Sequence, residues 1–181
     1  MVPFGILMVA TGALMLLFGS HETSDAWVDA LHVWWRQVRR GRRHIQRLVI
    51  YLDNGPNNSG RRTQFLKRMV EFVDWSGLEV RLVYYPPYHS KYNPIERCWS
   101  SLEKKWNGML LNCWEVVLRC AQRMRWKGRH PTVKQLASEY ADGVRVPAKE
   151  MKQIEARLDR STTLPKYDIT ITPRTTEPAV K

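Results

Sequence analysis

Leu48-Val49-Ile50-Tyr51-Leu52-Asp53-Asn54-Gly55-Pro56-Asn57-Asn58 is the stretch on which the fold turns. Five apolar or aromatic residues in a row, ended by a Gly/Pro/Asn cluster, predict a strand buried on both faces, as the central strands of α/β sheets are. Asp53 closes that strand. Open α/β sheets place ligand chemistry just outside the carboxyl ends of their strands, so the position suits a functional carboxylate. Asp before Asn-Gly is also ordinary turn chemistry, and the residue alone leaves both readings open.

Outward from this strand, the pattern alternates. Phe65, Met69, Phe72 and Val73 lie at helical spacing within Arg61 to Trp75, with Arg61, Arg62, Lys67 and Arg68 off the stripe. Ser76-Gly77 ends that helix, and Val80 to Tyr85 predict the next strand, ended by Pro86-Pro87. On the other side, Ser20 to Asp25 form a polar cap before Trp27, Leu31, Trp34 and Trp35, an amphipathic helix. Asp25 and Asp29 read as first-turn acids that complement the helix dipole. The run Arg36, Arg39, Arg40, Arg42, Arg43 and Arg47 is either a solvated face or a phosphate-contacting one.

Met1 to Phe18 is almost wholly apolar, which raises a membrane span or signal peptide. Pro3, Gly5, Thr11 and Gly12 favour a buried hairpin instead, with strands Phe4 to Ala10 and Ala13 to Gly19 around a Thr-Gly connection. A domain seldom begins inside a sheet, so further sequence is expected upstream.

Composition bounds the function. The chain has 181 residues, 44% hydrophobic and 10% aromatic, enough for a packed core rather than disorder. An excess of 29 Lys and Arg over 17 Asp and Glu, net +12, favours a polyanionic partner, most simply nucleic acid. Cys98, Cys113 and Cys120 have neither disulfide-framework nor zinc spacing, and a reducing cytoplasm is the expected home.

The third informative stretch is Tyr84-Tyr85-Pro86-Pro87-Tyr88-His89-Ser90-Lys91-Tyr92-Asn93-Pro94-Ile95-Glu96-Arg97-Cys98-Trp99. Asn93 as N-cap, Pro94 at the first helical position and Glu96 three residues after the cap predict a capping box. Ile95, Trp99, Leu102 and Trp106 supply the buried stripe, which leaves Glu96 on the flank, facing neighbouring strand ends. Capping and metal binding compete for that carboxylate. Downstream, Asn112 with Glu115, Thr132 with Gln135 (through Tyr140) and Pro147 (through about Leu158) each predict a helix start, and residues 160–181 an extended or disordered tail.

Taken together, the strand with Asp53-Asn54-Gly55, the strand ending Pro86-Pro87, and Ser90-Lys91-Tyr92-Asn93-Pro94-Ile95-Glu96 with Trp99 resemble the DDE transposases of bacterial insertion sequences, in the mariner-like branch. The resemblance runs from about Pro3 to Tyr140 in element order. It implies an α/β, ribonuclease-H-like mixed sheet flanked by helices, with a partial catalytic domain over 1–143, a C-terminal helix over 144–159 and the tail beyond. It assigns the second and third catalytic acids to Asp53 and Glu96, 43 positions apart (96 − 53). Mg²⁺ or Mn²⁺ is the implied cofactor, since in-line attack on a phosphodiester is served by two ions about 4 Å apart held by hard carboxylate oxygens. DNA, as transposon ends and target, is the implied partner, a homodimer is allowed, and a nucleoid-associated cytoplasmic location follows.

Arg42, Arg43, Arg61, Arg62, His89 and Lys91 are the candidate DNA contacts, with solvated loops as the alternative for the last two. Asn54, Asn57, Asn58 and Asn93 are candidate supports that orient water or phosphate, or simply form turns and caps. The first acid of the triad belongs on a strand ahead of the hairpin, and only Met1 and Val2 precede Pro3. The expectation is therefore a truncated or split copy, inactive by itself. The competing readings are a non-catalytic DNA-binding remnant and a small protein anchored in a membrane by residues 1–18.

Overall fold

The computed structural model describes residues 1–86 and 88–174, and the part of the expected tail over 175–181 lies outside the described residues. Met1 to Phe18 resolves into two strands: β1 (Val2–Met8) and β2 (Ala13–Gly19) pair antiparallel from Val2↔Gly19 to Met8↔Ala13. Their turn is four residues rather than two. The N–H groups of Thr11 and Gly12 both donate to the Met8 carbonyl, and Gly12 takes φ +70°, the left-handed region glycine enters freely. Among the described residues no helix is long and apolar enough to cross a membrane.

Alternation along β2 sends its side chains into two cores. Met15 and Leu17 join Phe4 in a cluster with Trp34, Phe65, Phe72, Val80 and Leu82. Leu14, Leu16 and Phe18 face Cys98, Leu102, Val117, Ala121 and Met124. Each fully buried leucine contributes about 2 kcal/mol of apolar burial, so β2 is anchored from both sides.

Helix α1 (Ser24–Val38) starts at Thr23, whose hydroxyl accepts from the Ala26 N–H at 3.2 Å. Asp25 and Asp29, expected to serve the helix dipole, instead tie α1 to α2 (Thr63–Ser76). Gln64 donates to Asp25 at 2.9 Å, and Arg68 pairs with Asp25 at 3.1 Å and Asp29 at 2.5 Å. The Tyr140 hydroxyl also donates to Asp29. Helix α2 is the crossover between β3 (Arg47–Leu52) and β4 (Glu79–Tyr84), which pair parallel from Arg47↔Glu79 to Leu52↔Tyr84.

The C-terminal part departs from the helical expectation. Thr132 to Gln135 is not a helix but β5 (Thr132–Gln135), parallel to β2. A four-residue β-branched segment cannot offset helix nucleation, whereas the open side of β2 satisfies its backbone at once. Helix α3 (Ile95–Trp106) is followed by α4 (Trp114–Arg123), which starts from Cys113 rather than Asn112. The expected helix over 144–159 is confined to α5 (Ala148–Glu155). Part of the expected extended or disordered tail is ordered: β6 (Leu158–Arg160) pairs with β7 (Asp168–Ile171), and β7 pairs antiparallel with β4. Alternating Ile169 and Ile171 are fully buried, and Arg157 donates two hydrogen bonds to Asp74, at 2.7 and 3.1 Å, and one to the Thr172 carbonyl.

The result is a mixed α/β fold with two sheets, ordered β1-β2-β5 and β3-β4-β7-β6. The strand read as buried on both faces is an edge strand: Val49 is 41% exposed and Tyr51 52%. Among the described residues, no strand pairs with β3 on the side away from β4.

Candidate active site

The site is built where β3 ends. Beyond Leu52 the chain turns through Asn54 at φ +63°, a region asparagine tolerates better than most residues, which accounts for that residue as turn chemistry. Asn58 is 2% exposed, and its side-chain N–H donates to Asp53 Oδ1 at 3.0 Å, fixing the carboxylate's orientation. A Cβ at Gly55 would lie 3.2 Å from Asn58 Oδ1 and 3.6 Å from Asp53 Oδ1, so the glycine leaves room for this pair. Asn57 does something different. Its amide donates to the Glu22 carbonyl at 2.7 Å, and its carbonyl accepts from the Ser24 hydroxyl at 2.8 Å, which pins the loop to the start of α1.

Glu96 arrives from the other side, on the first turn of α3. Asn93 is buried and prepares that turn: its carbonyl accepts from the Glu96 N–H at 3.1 Å and its side-chain oxygen from the Ile95 N–H at 3.4 Å. Pro94 already has helical angles (φ −59°, ψ −22°), in keeping with a proline whose missing N–H costs nothing there. The helix is seated on β1, because the Trp99 ring and Ile95 occupy the space a side chain at position 5 would need, and Gly5 has none.

Asp53 and Glu96 line one cleft, together with Asn58, Tyr85, Asn93 and Trp99. Partial burial pushes the Glu96 carboxyl above the ordinary carboxylate range, and the negative charges of Asp53 and then Glu103 add to the shift. A cation between the two acids would relieve that repulsion. The donor set is two carboxylates, and Mg²⁺ commonly takes one or two from the protein while keeping several waters, so the residues fit one hard divalent ion. Among the described residues no group of three or more His, Cys, Asp or Glu side chains is arranged to hold a metal.

The candidate DNA contacts divide by position. Arg61 and Arg62 follow the Asp53 loop, and His89 and Lys91 precede α3, so these four sit at the carboxyl end of β3 and β4 with the acids. Arg42 and Arg43 precede β3 and share a second, basic cavity with Arg39 and Arg40 at the opposite end of the strand. Tyr92 stacks on His89 with centroids 5.8 Å apart and carries the Lys91 ammonium over its face at 5.2 Å.

Two contributors escaped the sequence reading. Tyr85 lies on the cleft 6.2 Å from Tyr51, and the signal was available: period two puts Tyr84 in the core and its neighbour on the other side. Gly5 read only as a hairpin glycine, since nothing in the sequence ties it to Trp99, 94 positions away (99 − 5).

Residues 1–173 match the family described as the Rhodopirellula transposase DDE domain. No curated protein and no solved structure matches the chain at a significant level.

Proposed function

Since the chain belongs to the DDE transposase domain family, we propose that it carries two of the acids of a DNA strand-cleavage and strand-transfer site of ribonuclease-H-like type, in the mariner-like branch. Asp53 and Glu96 are the metal-holding carboxylates. The observation that carries this reading is that two acids from distant segments line one cleft, where the charge of Asp53 disfavours ionisation of Glu96. Mg²⁺ or Mn²⁺, when bound, would supply Lewis-acid stabilisation to a phosphodiester undergoing in-line attack.

The protein's own part is positional. Asn58 aims one Asp53 oxygen and leaves the other for a ligand, while Asn93 sets the first turn of α3 and with it the height of Glu96 above β1. Arg61, Arg62, His89 and Lys91 hold the DNA backbone at the acid end, and Arg42 and Arg43 hold it further along, with affinity that falls steeply with salt. Two carboxylates are fewer than a two-ion site uses, so the chain by itself binds DNA and a single ion without turning over.

Titration with Mn²⁺, followed by paramagnetic resonance, tests the assignment. Binding to the wild-type chain should weaken at least about tenfold in Asp53→Asn and in Glu96→Gln; equal affinity in all three removes both acids from the site. Mn²⁺-dependent cleavage of plasmid DNA by the isolated chain, lost in Asp53→Asn, would refute its inactivity.

A further inference from the structure

Asp53 and the Asn58 amide that aims it share one loop, residues 53–62, and that loop does little to hold itself. Among the described residues its internal main-chain bonds are two turns: Asn58 N–H to the Gly55 carbonyl at 3.4 Å and Arg62 N–H to the Ser59 carbonyl at 3.0 Å. Asn54 sits at φ +63°, and Asn58 Oδ1 and Arg62 Nε are buried without a hydrogen-bond partner among the described residues. An unpaired buried polar atom costs about 1–3 kcal/mol, and a segment carrying such costs keeps its shape where its surroundings over-determine it. The restraint on this loop therefore comes from outside it.

One side is held by Asn57, tied to the start of α1. The other is held by a residue 100 positions further along the chain (160 − 60). Arg160, at the end of β6, donates from Nη1 to the Gly60 carbonyl and to the Pro165 carbonyl, both at 3.1 Å. Its Nε and Nη2 are taken by the Glu155 carboxylate, so the planar fork has one direction left in which to aim Nη1. The contact is close. A Cβ at Gly60 would lie 2.8 Å from the Lys166 carbonyl oxygen, 3.0 Å from Ile169 Cδ1 and 3.2 Å from Tyr84 Cε2, so a side chain there would hold the loop off the turn between β6 and β7. That turn is itself fastened to the sheet, since the Tyr84 N–H donates to the Tyr167 carbonyl at 2.8 Å.

We infer that Arg160 is a positioning residue for Asp53: by holding the Gly60 carbonyl it clamps the loop between the β6–β7 turn and α1, and so sets where Asn58 presents the acid to the cleft. The brace stands on these contacts alone; its effect on a metal ion rests on the function proposed above. Charge and position predict opposite signs. A guanidinium repels a nearby cation, so if Arg160 acted through its charge, removing it would tighten metal binding. As a brace, its removal frees the loop and weakens binding.

The experiment combines Mn²⁺ titration of the full chain, followed by paramagnetic resonance, with hydrogen exchange at the Asn58 and Arg62 amides. Arg160→Ala should weaken Mn²⁺ binding about tenfold, the lower end of the loss when a group that orients a metal ligand is removed, and speed exchange at both amides. Arg160→Lys, whose ammonium still reaches the carbonyls, should recover most of the affinity. Glu155→Gln leaves Arg160 in place but loosens its fork, and should give an intermediate loss in a gentler variant. Arg81→Ala removes the paired hydrogen bonds to Asp168 that fasten β7 to β4 without touching the loop, and should leave Mn²⁺ affinity unchanged. Unchanged or tighter Mn²⁺ binding in Arg160→Ala and Glu155→Gln, or an equal loss in Arg81→Ala, would overturn the inference. If Mn²⁺ binding to the wild type proves independent of Asp53, the metal reading fails by itself. The brace is then decided by exchange, and unchanged rates at Asn58 and Arg62 in Arg160→Ala overturn it.

Discussion

Substituting Gly5 by alanine tests whether the strand floor sets the position of the Glu96 helix. A Cβ there would lie 2.7 and 2.8 Å from two atoms of the Trp99 ring and 3.0 Å from Ile95 Cδ1. Carbon atoms rest at about 3.5–4.0 Å, so the ring must retreat by about 1 Å. Overpacking of this kind costs about 1–3 kcal/mol, and the gain of alanine over glycine in a strand returns about 0.5–1 kcal/mol. The net loss is about 0.5–2 kcal/mol. With a urea slope near ~2 kcal/mol/M the unfolding midpoint should fall by about 0.3–1 M, read by circular dichroism and tryptophan fluorescence. Because Trp99 and Glu96 share α3, Mn²⁺ affinity should fall with it. In a Trp99→Leu background the same substitution should cost nothing or stabilise, a coupling of about 1–2 kcal/mol. Equal costs of Gly5→Ala in the two backgrounds would show that Trp99 does not rest on β1.

Two further predictions concern pH. Glu96 is held above its unfolded pKa, so folding is favoured by it below that value and the benefit is lost as pH rises through the folded pKa. Glu96→Gln should therefore stabilise the apoprotein at pH 7, by under ~1 kcal/mol for a partly solvated pair, and leave it unchanged or slightly weaker at pH 4; thermal melts at both values check this. Asp74 is displaced the other way, chiefly by its hydrogen bond to Arg157, so it stabilises above the unfolded carboxylate range and the contribution disappears as pH falls through its lowered folded pKa. Arg157→Ala should cost about 1 kcal/mol at pH 7 and progressively less below pH 4, with faster hydrogen exchange in residues 158–160.

The sequence disclosed the elements whose cause is local. The stripes of α1 and α2, the Gly77 stop at φ +71°, and the Asn93-Pro94 helix start are set by residues within a turn or two of one another. What stayed hidden depends on distant partners. Thr132 to Gln135 carries helix-start letters, yet the edge of β2, more than a hundred positions earlier, claims it as a strand. Residues 158–171 look like loop until Ile169 and Ile171 find β4. The same holds around the cleft: Asp53 and Glu96 were legible as candidate residues, but the edge position of β3 among the described strands was not, because an apolar run reads alike with one neighbour or two.

The pairing of β7 with β4 also dictates an order of events during synthesis. Val80 meets Ile171, 91 positions later (171 − 80), so one flank of β4 stays unpaired until nearly the whole described chain has left the ribosome. At roughly 5–20 residues per second that interval is about 5–18 s, during which Val80 and Leu82 have no β7 to cover that flank. A nascent chain of this protein is accordingly expected to gain from chaperones that shield strand edges, and its yield in a cell should track their supply more closely than its final stability.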